Sequence, residues 1–217
     1  MKMTLHRALA QRKTTKARIS KEIANGTFIE TTVGTSGKVN GTPVAEVEKN
    51  IQGTYDRVKA LLSNLYELST AINRANNGIA ADTTNIHTVD FDGKPATLSS
   101  ILAAQESLHY RKQLLEHLTN QLAAVKNRVS RSEDEVEHRC DLFLASMGGG
   151  DKNKLSAADI DAYSKNFHQN NDMKLVDPLG IEKLIPQLKE RIETLDVECD
   201  SKISEINALT QVDVDIR

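Results

Sequence analysis

The chain contains no tryptophan and only four phenylalanines and four tyrosines in 217 residues. Large rings therefore cannot dominate its core. Leu, Ile, Val and Ala must fill it, as in helix bundles whose aliphatic side chains interdigitate along seams. Cysteine is scarce as well. Cys140 and Cys199 stand far apart with no C-x-x-C or ligand-like spacing, which argues against a disulfide scaffold and fits reduced thiols in a cytoplasm. No run approaches the roughly 20 apolar residues of a membrane span, and the stretch MKMTLHRALAQRK lacks the apolar core of a signal peptide. An excess of one charge is missing too: Lys and Arg number 28 against 30 Asp and Glu. That balance supplies no broad basic field for duplex nucleic acid or an anionic membrane. The expectation is a soluble protein of the cytoplasm, the host cytoplasm if a phage encodes it, in which any anion site is local.

What is present is helical periodicity. From Thr4 to about Asn25 the positions Leu5, Leu9, Ile19 and Ile23 keep helical spacing, with Asn25-Gly26 as the stop. The stretch TFIETTVGTSGKVNGTPVAEV then changes character: Phe28, Thr31, Thr32 and Val33 favour strands, and Asn40-Gly41 is a type I′ turn signal. After Pro43 a run through Val47, Ile51, Tyr55, Val58, Leu62, Leu65, Leu68 and Ile72 closes at NRANNG. About 30 residues at 1.5 Å each predict a rod of roughly 45 Å. HTVDFDGKPATL offers a second short hairpin around Asp92-Gly93, and Thr97 can cap an equally long helix with the seam Leu98, Ile101, Gln105, Leu108, Lys112, Leu115, Leu118, Leu122 and Val125.

SRSEDEVEHRCDLFLASM reads as the start of a further helix, ended by glycines 148 to 150. A small helix follows, with Ser156 and Asp159 as its start signal. Asp177-Pro178 opens the last one, reaching about Leu209, in which Pro186 marks a kink or the true first turn. The expected fold is mainly α: a long-helix antiparallel bundle with one or two short β-hairpins, near residues 27–43 and 86–96. Residues 1–133 and 176–217 form the bundle, and 134–175 an inserted helical segment. Rods this long in so short a chain leave apolar seam near the surface, so association into a homo-oligomer is expected.

The succession ALAQRKTTKARI (8 to 19), INRAN (72 to 76), TLSSILAAQESLHYR (97 to 111), RVSRSE (128 to 133) and ISEIN (203 to 207) resembles the small helical proteins of the septicolysin-like family. The likeness is spread in order over about two thirds of the chain. It departs at Val129, where the family pattern has an aromatic residue, at Gln105, where it has a basic one, and in the insertion from about Asp134 to Leu175. The resemblance implies a helical, oligomeric protein and no defined biochemical role.

Several polar groups stand out as candidates for holding an anion. Arg128, Ser130, Arg131 and Ser132 precede the expected helix start, where free N–H groups and guanidinium forks suit a phosphate. Equally, Ser130 with Glu133, or Ser132 with Glu135, makes a capping box. Asn73, Arg74 and Asn76 can form a hydrogen-bonding cluster or simply end a helix. Arg12 and Lys16 fall on the stripe of Leu5, Leu9, Ile19 and Ile23, where a buried charge demands a partner or a ligand unless it snorkels. Tyr110 and Arg111, beside His109 and one turn past Ser107, can stack on and clamp a nucleotide or form a solvated face. If Arg12, Arg74, Arg111, Arg128 and Arg131 converge across subunits, an anion would relieve their repulsion.

Glu106 with His109, and Glu135 with His138, have the Glu-x-x-His spacing of di-iron bundles, but such sites need additional inward Glu residues from two other helices, and Glu106 lies off the seam. No G-x-S-x-G, phosphate-loop or dinucleotide glycine pattern occurs. No enzyme activity, cofactor or metal is expected. The leading expectation is a non-catalytic oligomer that captures a small anionic, nucleotide-type ligand between subunits. Bacteriophages encode compact oligomeric sponges of that design, which sequester host immune signals and so evade anti-phage defence; the link is analogy. The alternatives are a structural or assembly scaffold and a di-iron carboxylate bundle.

Overall fold

The computed structural model describes residues 3–78 and 87–210. Among them lie five helices and three short antiparallel strand pairs. Contacts divide the chain into two compact units. The first comprises Met1–Gly26, Tyr55–His117 and Lys183–Arg217, the second Thr27–Thr54 and Leu118–Glu182. The lines of division therefore differ from the expected 134–175 insertion.

In the first unit, helix α1 (Leu5–Asn25) begins where the Thr4 hydroxyl accepts from the Arg7 N–H at 3.3 Å, satisfying one of the N–H groups that a first turn leaves over. Its buried residues are Ala8, Thr15, Ile19 and Ile23. Of the expected stripe, Ile19 and Ile23 are buried while Leu9 is 40% exposed, its place being taken by Ala8. Helix α2 (Val44–Gly78) contributes Val58, Leu62, Leu65 and Ile72 as buried side chains. Strands β4 (Thr88–Phe91) and β5 (Lys94–Thr97) pair as a hairpin. Its turn residues Asp92 and Gly93 both have positive φ, 57° and 68°, as a type I′ turn requires. Of the expected hairpin near 86–96, residue 86 lies outside the described residues.

Helix α3 (Leu98–Met147) starts with a cap in which Ser100 Oγ accepts from the Thr97 N–H at 3.0 Å. Helix α5 (Ile181–Leu209) contains Pro186 within it, so that residue is not its first turn. Inward side chains of the hairpin (Val89, Phe91, Ala96), of α3 (Ile101, Ala104, Leu108) and of α5 (Ile192, Leu195, Cys199, Ile206) form one buried cluster. The expected seam positions Gln105 and Lys112 sit at its rim, where they bond Asp200 at 3.1 Å and Asp196 at 2.6 Å.

The second unit corrects two expectations. First, α3 runs unbroken through residues 127–133, so no helix starts there. Ser130 is exposed and caps nothing. The stretch holds neither Gly nor Pro, and Arg, Ser and Glu are tolerated inside a helix even where their clustering imitates a cap. Second, strand β1 (Glu30–Val33) does not belong to the first hairpin. It pairs antiparallel with β6 (Met173–Val176), so the segment expected to be helical also supplies a strand. The Asn40-Gly41 turn does join β2 (Lys38–Val39) to β3 (Thr42–Pro43), with φ of 48° and 87°.

Gly34, just past β1, has φ of 59°, and a Cβ there would lie 2.0 Å from the Asn170 carbonyl oxygen. Only glycine lets the two backbones come this close. Helix α4 (Ala157–Asn171) has the expected start, the Ser156 hydroxyl accepting from the Asp159 N–H at 3.1 Å. A small core of Val39, Ile51 and Val176 completes this unit.

Candidate functional site

Three helix faces and a hairpin meet around a cleft of about 490 Å³ in the first unit, a size within the range of small-ligand sites. From α2 come Tyr66, Thr70 and Arg74, and from α3 Ser100, Ala104, Ser107 and Arg111. Spacings of three and four residues put each set on one helix face. The third face is Arg191 and Leu195 of α5, and the hairpin closes the site with Phe91, Asp92 and residues 94–97. Phe91, Pro95, Ala96, Ala104 and Leu195 make apolar wall, while four cationic side chains, Arg74, Lys94, Arg111 and Arg191, face a single carboxylate, Asp92. That local excess stands in a chain whose formal net charge is −2.

The charges are unevenly matched. Arg191 donates to Asp92 Oδ2. Arg111 has a long hydrogen bond to Ser107 Oγ at 3.5 Å and no ion pair with a described residue. Burial, then the nearby Arg191 charge, holds the Arg111 guanidinium below its ordinary value, against the pull of Tyr55 and Asp92; an arginine stays charged regardless. Tyr55 shares this environment: burial, then Asp56, pushes its phenol up, with Arg111 opposing. One more group lacks a partner among the described residues. The Thr70 Oγ1 atom is buried and makes no hydrogen bond, which is costly for a hydroxyl in a protein interior.

The remaining sequence-derived candidates fall elsewhere. Asn73 donates to the Ser99 carbonyl oxygen at 3.2 Å, next to the first turn of α3. Asn76 is exposed. Lys16, the charge on the stripe of α1, is paired with Glu106, which also accepts from the Ser69 hydroxyl. Burial alone would raise the Glu106 carboxyl, yet the bonds from Lys16 and Ser69 and the charges of Lys16 and Arg12 outweigh it and hold the group below its usual range. Lys16 thus has an internal counterion, and the charge of Arg12 acts on the same carboxylate. Glu106 is committed to that network, and among the described residues no three His, Cys, Asp or Glu side chains stand together as metal ligands would. Tyr110 packs edge-on against His109, ring centroids 5.1 Å apart, and does not line the cleft.

In the second unit Asn127, Arg128, Arg131, Ser132 and Glu135 border a shallow groove of about 530 Å³ with Ala124 and Met173. Arg128 is 3.7 Å from Glu30. Ser130 is outside the groove. With α3 continuous here, the N–H groups of a helix start are not available, which removes the reason first given for an anion at this place. Arg74 and Arg111 therefore share one cleft, Arg128 and Arg131 share another, and Arg12 lines neither.

Arg191, Lys94 and the hydroxyl of Thr70 were not singled out from the sequence. Arg191 directly precedes the seam residue Ile192, and Thr70 lies one turn before Arg74; those spacings were the available signal. No family model matches the chain, and no curated protein or solved structure matches it.

Proposed function

We propose that the protein binds a small anionic ligand of the nucleotide type in the cleft of the first unit, without catalysing a reaction on it. The observation that carries this reading is Arg111: a partly buried guanidinium beside a second one, with one long hydrogen bond and no paired carboxylate among the described residues. A guanidinium partly desolvated beside a like charge is destabilised, and an anion bound between the two relieves that cost. The apolar wall of Phe91, Pro95 and Leu195, with Tyr66 at the rim, suits the flat part of a nucleotide. The lining includes neither His nor Cys, and its one carboxylate is held by Arg191. That favours capture over chemistry. Its fullest form is a homo-oligomeric sponge for a nucleotide signal.

Thermal shift with ADP, ADP-ribose, cyclic dinucleotides and pyrophosphate tests the reading, because a ligand in large excess over its Kd stabilises the folded state measurably. At least one of these probes is expected to raise Tm by several degrees, and Arg111→Ala and Arg74→Ala to abolish the shift while far-UV circular dichroism stays unchanged. Silence towards every probe at millimolar concentration refutes the proposal and leaves the scaffold reading. Light scattering on the same sample gives the copy number.

A further inference from the structure

The hairpin turn that closes the cleft is fastened to α5 at two points. The Asp92 N–H donates to Glu198 Oε1 at 2.7 Å, and the Asp92 carboxylate accepts from Arg191. These two bonds differ in kind. The first fixes the backbone of the turn and does not involve a cleft cation, whereas the second covers one of the cationic groups that line the cleft.

Resting on the reading above, we infer that Asp92 is an internal competitor for the ligand: its carboxylate holds Arg191 until a phosphate group, bridging Arg111 and Arg191, displaces it. Both side chains of the existing pair are about half exposed, 44% and 48%, and ion pairs in that setting are weak. A phosphate brings more charge and more acceptor oxygens than a carboxylate, and guanidinium groups grip it through several parallel hydrogen bonds. It also reaches Arg111, which Asp92 leaves without an ion pair. The turn need not unfold on exchange, since the bond to Glu198 and the β4–β5 pairing remain. The site is thereby selective. A monoanion such as acetate gains little by replacing one carboxylate with another, while a polyanionic phosphate gains a second guanidinium.

The test is calorimetric titration with pyrophosphate and with ADP, at fixed ionic strength, of the wild type and of Asp92→Asn. Asparagine tolerates the positive φ at this position and keeps the N–H that bonds Glu198, so the fold of the turn is retained. Asp92→Asn is expected to bind pyrophosphate roughly tenfold more tightly, the change that 1.4 kcal/mol corresponds to. Glu193→Gln, which removes a negative charge from the exposed face of α5, is expected to match the wild type, showing that net charge alone is not responsible.

Unchanged or weaker binding by Asp92→Asn, with a wild type that binds, overturns the exchange and leaves the anion site standing. Binding by the variant alone supports it in its strongest form. Absence of binding by both sinks this inference together with the function it rests on.

Discussion

Substitution of Ser130 distinguishes a helix that starts near residue 130 from one that passes straight through it, because the two give opposite signs. In the structure Ser130 is an exposed residue in the interior of the 50-residue helix α3. There its hydroxyl does nothing for the helix, and serine is a poorer helix former than alanine by about 0.5 kcal/mol. Ser130→Ala is therefore expected to stabilise the protein by a few tenths of a kcal/mol. If Ser130 were instead the N-cap of a new helix, losing its hydroxyl would cost about 1 kcal/mol. Proline widens the gap. Ser130→Pro removes the hydrogen bond to the carbonyl of Lys126 and drives the ring into the preceding turn, a loss of about 3 kcal/mol or more in a helix interior. At a helix start the same ring would sit where an N–H has no partner, and it would cost little. Urea unfolding of the three proteins, followed by far-UV circular dichroism, reads both numbers. A destabilising Ser130→Ala together with a tolerated Ser130→Pro would refute the continuous helix.

Three further predictions follow from other parts of the chain. Glu106 has its folded pKa below the ordinary value, so its contribution to stability is present above the unfolded pKa and is lost as pH falls through the lower folded one. Urea midpoints measured from about pH 7 down to about pH 3 should fall less steeply for Glu106→Gln than for the wild type, and parallel curves would refute the assignment. Cys199 is fully buried, and burial, followed by the charges of Asp200, Asp196 and Glu198, pushes its thiol up to about 11. Since the thiolate is the reactive form, a Cys140→Ser protein should react with a thiol reagent only when denaturant opens it; rapid labelling in buffer would contradict the packing. Gly34→Ala should destabilise by more than about 1 kcal/mol, because both its φ of 59° and the Asn170 carbonyl oppose a side chain; a neutral effect on the urea midpoint would refute that close approach.

How much could be read in advance depended on whether the signal was local. The hairpin turns at Asn40-Gly41 and Asp92-Gly93 were legible because positive φ at two successive positions demands particular residue types. The cap at Ser156 was legible because it too is local, complete within four residues. The pairing of β1 with β6 was not. Its partners lie about 140 residues apart, and strand β6, MKLV, is too short and too mixed in character to be recognised alone. The polar stretch 127–133 misled in the opposite way: a capping sequence permits a helix start but cannot enforce one without a breaker beside it. Of the arginines, Arg74 and Arg111 do share a cleft, whereas the third member, Arg191, was hidden as a neighbour of the seam residue Ile192.

The cleft exists because of where the hairpin was inserted. Two helices of a bundle ordinarily close against each other along their apolar stripes, leaving no room for a ligand. Here the buried cluster of α3 and α5 is completed by Val89, Phe91 and Ala96 of the hairpin and includes no residue of α2. The hairpin thus takes part of the contact that a bundle helix would make, and the face of α2 carrying Tyr66, Thr70 and Arg74 borders open space. Seam-edge arginines on neighbouring helices are brought to a common volume with apolar walls, Arg74 and Arg191 staying exposed while Arg111 is partly buried. Partial desolvation of Arg111 beside a like charge opposes folding, and the chain offsets only part of that cost, with one carboxylate at the hairpin turn. The same hairpin therefore makes the volume, leaves the cations in it, and supplies the one counterion that a stronger anion has to displace.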